Sequence, residues 1–162
     1  MTWTLYDYKS KRGHNEIKEW ALKLQTKQQS TLNEKLLQVQ LHGNSLNDSL
    51  LSDSSAQDKQ VKKLRFSQGG VQLRPLLCEG PTRNDQNQYN KEYTLLCGAT
   101  EKGDKIKPKN AYETATQRRQ EVIDDHKSRR CRHERVTPKS SDSNKRDRKK
   151  KTKKRSNRRF YR

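Results

Sequence analysis

The chain has 162 residues and a formal net charge of +19; 35% of its residues are charged and only 27% are hydrophobic. That length suits one domain with a tail, since single domains usually run to about 100–150 residues. With so few apolar residues, burial over the whole length would hardly offset the conformational entropy of ordering it, so a second core is not expected and part of the chain is expected to be disordered.

The charge is uneven. Residues 126–162 hold 18 Lys/Arg against three acids, a net +15, whereas residues 1–125 hold 20 against 16, a net +4. Such a density favours polyanions, because neutralising phosphates releases condensed counterions and yields salt-sensitive affinity. Nucleic acid is therefore the first partner to consider; a membrane is not, because the basic segment has almost no apolar residues to insert. No apolar run is long enough to span a bilayer, and MTWTLYDYKSKRG lacks the apolar core of a secretion signal, so a cytoplasmic location is expected. Cys78, Cys97 and Cys131 are odd in number and widely spaced, which fits free thiols.

Residues 2–8, TWTLYDY, read as a first strand with Trp3, Leu5 and Asp7 on one face. From Asn15, a plausible N-cap, Ile17, Trp20, Ala21 and Leu24 follow helical spacing. Thr26 is a candidate cap for a second helix with Leu32, Leu36, Leu37 and Val39 as its apolar stripe. His42 to Gln60 is rich in Asn, Ser, Asp and Gly and reads as a loop. VKKLRFS and VQLRPLLC flank Gln68-Gly69-Gly70 and read as a β-hairpin in which Pro75 suits an edge or bulge. YTLLCGA is the clearest strand, TEKGDKIK reads as a lysine-bearing loop, and a third helix carries Ala111, Ala115, Arg118, Arg119, Val122 and Ile123 with Pro108 near its first turn. It is expected to fray after Asp125, leaving residues 126–162 as a disordered basic tail. The order implies an α+β domain, residues 1–125, in which a small, mostly antiparallel sheet is packed on one face against two N-terminal helices and a C-terminal helix, its other face open to hold a site.

There is no phosphate-cradling glycine loop and no dinucleotide fingerprint. His14, His42, His126 and His133 all fall in loop or tail, so none is expected to act as a general base, and Cys131, His126 and His133 lack the paired short spacings of a zinc site. Lys63 and Arg65 alternate with Leu64 and so share the polar face of their strand; Arg74 lies on the hairpin partner, and Lys102, Lys105 and Lys107 follow the last strand. Any one of these is an ordinary solvated charge. Gathered, they would form an electropositive concavity able to bind a phosphate and to stabilise the charge developing during phosphoryl transfer, without a metal.

KLRFSQGGVQLRPLLCEGPTR, continued by YTLLCGATEKGDKIKPKNAYETATQRR and preceded by WTLYDYKSKRGHNEIKEWALKL, resembles the phage-derived branch of the RelE/HigB toxins of type II toxin–antitoxin systems, over about residues 2–125. The resemblance implies a RelE-like fold and ribosome-dependent, metal- and cofactor-independent cleavage of messenger RNA, leaving a 2′,3′-cyclic phosphate and a 5′-hydroxyl. It implies partnership with a small helix-turn-helix antitoxin. Carried over, it places Lys63, Arg65, Arg74 and Lys102 as catalytic, with Arg74 on the scissile phosphate, and Lys62, Lys105, Lys107, Arg118 and Arg119 as RNA-binding. Tyr112 would stand for the family's C-terminal tyrosine. Cys97, near where some relatives place a histidine, Glu101 inside the basic loop, and Pro75 depart from the pattern.

Overall fold

A computed structural model describes residues 2–137 of the chain. The fold is α+β, with two sheets rather than one. The elements are β1 (Thr4–Tyr8), α1 (Glu16–Leu22), α2 (Thr26–His42), β2 (Leu51–Asp53), β3 (Val61–Leu64), β4 (Phe66–Gln68), β5 (Val71–Leu73), β6 (Leu76–Glu79), β7 (Glu92–Cys97), β8 (Thr100–Lys102), β9 (Lys105–Lys107), α3 (Ala111–Asp124), α4 (His126–Arg129) and β10 (Arg130–Arg132). The larger sheet runs β10-β1-β7-β6-β3-β2 and the smaller β4-β5-β8-β9. Among the described residues only β1 and β7 pair in parallel.

The helices start where their caps put them. Asn15 Oδ1 accepts the Lys18 N–H at 2.9 Å, and Glu16 and Glu19 lie in the first turn, where the helix dipole favours acids. The second cap falls one residue before the expected Thr26: Gln28 Oε1 turns back to accept the Gln25 N–H at 3.0 Å. Buried Gln29 donates to the carbonyls of Ala21, Leu22 and Leu24, closing the end of α1 and tying the two helices together. Leu32, Leu36 and Val39 are buried as expected, but Leu37 is exposed.

The hairpin is real but divided between the sheets. Its tip, Gly69-Gly70, has positive φ at both residues (62° and 75°), as a two-residue loop of the primed type requires. Its strands pair in the small sheet as β4–β5 and in the large one as β3–β6. The chain crosses between sheets at Arg65 and at Arg74-Pro75, where Pro75 lacks an N–H and offers its carbonyl to Leu64 N. The strand expected at 93–99 bends likewise after β7, at Gly98, where a Cβ would collide with the Trp20 ring; the indole caps this corner. The lysine-bearing stretch expected as a loop is the hairpin β8–β9, turning at Gly103 (φ 60°) and Asp104.

Among the described residues the large sheet is covered on both faces, where one open face was expected. Leu77 and Leu95 join a core with Leu5, Ile17, Leu32, Leu36, Leu64 and Tyr93 under α1 and α2. Their strand neighbours Cys78 and Leu96 turn the other way, into a second cluster with Val61, Leu76, Ala111 and Ala115 under α3. Strands buried on both faces tend to read as apolar runs, as Leu95-Leu96-Cys97 does at the end of EYTLLC, all six residues of which are buried.

The fold also does not stop at Asp125. Asp125 caps α4 through the Ser128 N–H, and β10 adds antiparallel to the free edge of β1. Arg130 lies 3.9 Å above the Tyr6 ring, with Nη1 3.1 Å from Glu92 Oε1, an ion pair by distance without a hydrogen-bond angle. Val136 is buried against α2, where Asn33 bonds both its N–H and its carbonyl. Charge pairing and backbone pairing, rather than apolar periodicity, hold residues 126–137; the remainder of the expected tail, 138–162, lies outside the described residues.

Two outcomes are expected. Burial pushes the Cys78 thiol up to about 12 and the Cys97 thiol up to about 11, so both stay protonated and unreactive at pH 8. Titration with 4,4′-dithiodipyridine should then count no more than Cys131 in the folded protein and all three thiols in denaturant. A chain ended after Asp125 loses β10, the Arg130 partner of Glu92 and the His133 partner of Asp7, and should melt on the order of 10 °C below one ended after Thr137, a difference of about 3 kcal/mol by calorimetry.

Candidate nucleic-acid interface

The cations named from the sequence separate into three groups. Arg74, Arg118, Arg119 and Lys62 are engaged in ion pairs. Arg74 is buried rather than exposed: Nε donates to Glu101 Oε2 at 2.9 Å, Nη1 to the carbonyls of Phe66 (3.1 Å) and Leu73 (2.9 Å), and Nη2 to Gln72 Oε1 (3.3 Å). It braces the corner where the hairpin passes from one sheet to the other, holding the backbone of both strands, Phe66 O and Leu73 O, with one guanidinium. Glu101 is thus no intruder in the basic loop; it faces away from the neighbouring lysines and neutralises Arg74. Arg118 donates to Leu96 O at 2.8 Å, pairs with Glu16 and lies 4.7 Å from the Tyr8 ring. Arg119 binds Asp58 at 2.8 Å and Tyr89 Oη at 3.0 Å. Lys62 pairs with Asp53.

Lys63 and Arg65 do not share a face, since the strand breaks between them. Lys63 follows the alternation of Val61 toward the α3 side, half-buried beside Leu76. Arg65 is exposed at the bend and lines an open cleft of about 440 Å³ with Lys35 and Gln38 of α2. The expected catalytic quartet of Lys63, Arg65, Arg74 and Lys102 is therefore not convened around one point. Tyr112 packs with Ile106 on the α3-side cluster.

The third group is Lys102, Lys105 and Lys107 on the β8–β9 hairpin, all exposed. Lys102 is the direct cross-strand partner of Lys105, and Thr100 that of Lys107, so the three ammonium groups share one face of the ribbon. None meets a carboxylate among the described residues. Like charges directly opposite across a ladder are destabilising, so the arrangement is relieved by an anion. Arg65 stands before β4, at the other edge of the same small sheet, about 14 Å away by strand spacing.

Asp7 and His133 were missed as a pair. Asp7 is 2% exposed at its side chain; Oδ1 lies 2.8 Å from His133 Nδ1 and Oδ2 accepts from Asn15 Nδ2 at 2.9 Å. His133 is in no loose tail: its N–H bonds Leu5 O just beyond β10. The signal lay in the first strand, where an acid on the core face demands a donor from elsewhere in the chain. Among the described residues no group of three His, Cys, Asp or Glu is placed to hold a metal ion, and no helix is long and apolar enough to cross a membrane.

No protein-family model, curated protein or solved structure matches this chain.

Removing buried Arg74 leaves the half-buried Glu101 without its partner and the Phe66 and Leu73 carbonyls without a donor, and Arg74→Ala should cost about 3 kcal/mol in urea denaturation. Lys102→Ala, on the exposed ribbon, should stay within about 0.5 kcal/mol of the parent.

Proposed function

We propose that this protein binds RNA through the β8–β9 hairpin and acts on translated messages, as the toxin of a type II toxin–antitoxin pair: a ribosome-associated messenger RNA endonuclease that inhibits translation in the cytoplasm. The observation that carries the reading is the juxtaposition of Lys102 with Lys105, and of Lys107 beside them, without a neutralising carboxylate among the described residues. A polyphosphate backbone removes that repulsion and is the partner a ribbon of point charges suits, since ammonium groups contact phosphate without demanding a base. The 13 Lys/Arg of residues 138–162, against Asp142 and Asp147, add to the same attraction. The resemblance of residues 2–125 to RelE/HigB toxins supports the choice of messenger RNA and the ribosome, and supports a small helix-turn-helix antitoxin that would cover the lysine face. The chemistry expected of such an enzyme needs no cofactor.

A second reading is favoured by Arg74. With its donors directed to Glu101, Gln72 and two carbonyls, it does not reach for a scissile phosphate. A non-catalytic RNA- or ribosome-binding protein with the same basic ribbon would need no such contact.

Replacing Lys102, Lys105 and Lys107 together by alanine should reduce the slope of log affinity against log salt for single-stranded RNA by about 2, three contacts at about 0.7 each. An unchanged slope removes the hairpin from the interface. Mapping RNA ends after brief induction separates the two readings: new ends inside translated codons support the endonuclease, and growth arrest with intact messages supports the binder.

A further inference from the structure

Between α2 and the segment that follows β10 lies a cleft of about 310 Å³, lined by Ser30, Asn33, Glu34 and Gln40 on one wall and by His133 and Arg135 on the other. Its second wall is rigid for a segment outside regular structure. His133 N–H is bonded to Leu5 O, Val136 is buried, and Asn33 holds both backbone groups of Val136. His133 is therefore pinned from both sides, with Arg135 two residues further along.

A carboxylate only accepts, so opposite Asp7 the hydrogen of the 2.8 Å bond sits on His133 Nδ1, and in the neutral ring Nε2 is then the nitrogen with the lone pair. Asn15 Nδ2, 2.9 Å from the other oxygen of Asp7, fixes the carboxylate in turn. Nε2 has no hydrogen-bond partner within the described residues and is not among the buried polar atoms lacking one, and His133 lines the cleft. A buried acid orienting a histidine whose second nitrogen is accessible is the arrangement by which an imidazole accepts a proton from a hydroxyl.

We infer that His133, positioned by Asp7, is the proton-accepting group of a phosphodiester site in this cleft, with Arg135 facing the phosphate. The inference rests on the RNA-cleaving reading above and names a place for its chemistry that does not involve the dispersed cations. In the step, a ribose 2′-hydroxyl gives its proton to Nε2 and its oxygen bonds to the adjacent phosphorus. The bond from phosphorus to the 5′ oxygen of the next nucleotide breaks, and that oxygen takes a proton from water. The imidazolium then neutralises the hydroxide formed, leaving a 2′,3′-cyclic phosphate and a 5′-hydroxyl. Glu34, on the facing wall, repels the phosphate and sets it on the Arg135 side. The described chain ends beside this cleft at Thr137, from which the basic residues 138–162 continue.

The test uses the full chain, ribosomes and a 5′-labelled translated RNA. His133→Asn keeps a side-chain N–H toward Asp7 but supplies no base, and should slow cleavage by about 100-fold or more while affinity for a 2′-O-methyl oligonucleotide, which cannot react, stays within about twofold. Arg135→Ala should chiefly weaken that affinity. In the unsubstituted protein, adding the 2′-O-methyl oligonucleotide should shift the His133 imidazole resonances and leave those of His14 and His42 in place, a result independent of how any variant folds. Cleavage by His133→Asn at the parental rate, or an unmoved His133 resonance, overturns the inference while leaving the toxin reading standing. A parent chain that leaves RNA intact on ribosomes overturns both.

Discussion

A carboxylate taken out of water must be matched, and Asp7 states this condition for the whole molecule. It sits on the core face of β1, 1% exposed, where Leu5 and Trp3 occupy the flanking inward positions. Nothing within β1 can satisfy it. Asn15 arrives from the cap of α1 and His133 from beyond β10, so one buried charge ties the first strand, the first helix and the last described segment together. The cost of leaving an ion buried alone runs to several kcal/mol, which is more than any single apolar contact in residues 126–137 could contribute. The same rule operates on the opposite face of the sheet, where Glu92 faces Arg130.

Paired burial explains how so polar a chain closes two cores. The clusters on the two faces of the large sheet are built from leucines, valines and alanines of ordinary size, and the gaps at their margins are filled by ion pairs: Arg118 with Glu16, Arg119 with Asp58, Arg74 with Glu101. These guanidiniums belong to the architecture. What remains for a partner are cations on elements that carry little of the core, above all the β8–β9 ribbon at the edge of the small sheet. A like-charged pair is tolerated there because an exposed ribbon lies in water, where two ammonium groups repel weakly.

The legible parts of the fold were those governed by local rules. Asn15 and the Ile17/Ala21 spacing mark α1, Leu32, Leu36 and Val39 mark α2, the glycine pair marks the hairpin tip, and Ala111, Ala115 and Val122 mark α3. Leu37 and Ile123 fit the same periodicities yet are exposed, because spacing does not say how wide the covered stripe is. The unreadable parts depend on distant partners. LSD becomes β2 only because β3 offers an edge, and RCR becomes β10 only because β1 does. Alternation along VKKLRFS assumes an unbroken strand, so the bend at Arg65 separated Lys63 from Arg65 and turned Arg74 inward. Charge composition does not name the individual contacts: a guanidinium that binds phosphate and one that braces a corner have the same letter in the sequence, and only their neighbours distinguish them.

The distribution of charge and of oriented donors over the described molecule separates attraction from chemistry. The lysine ribbon continues the C-terminal end of β7, whereas His133 bonds to Leu5, which is paired with Tyr93 near the start of β7. About five residues of extended strand, on the order of 16 Å, lie between the two along β7. Point charges act over roughly a Debye length and hold a polymer without fixing its register. An imidazole held by a buried acid acts only on an atom within hydrogen-bond reach. On the RNA-binding reading, a strand of a few nucleotides drawn to the ribbon also reaches the cleft. The two features then have complementary parts: the exposed ammonium groups supply affinity without selection, and the Asp7, Asn15 and His133 array supplies a position where geometry is specified to a hydrogen bond.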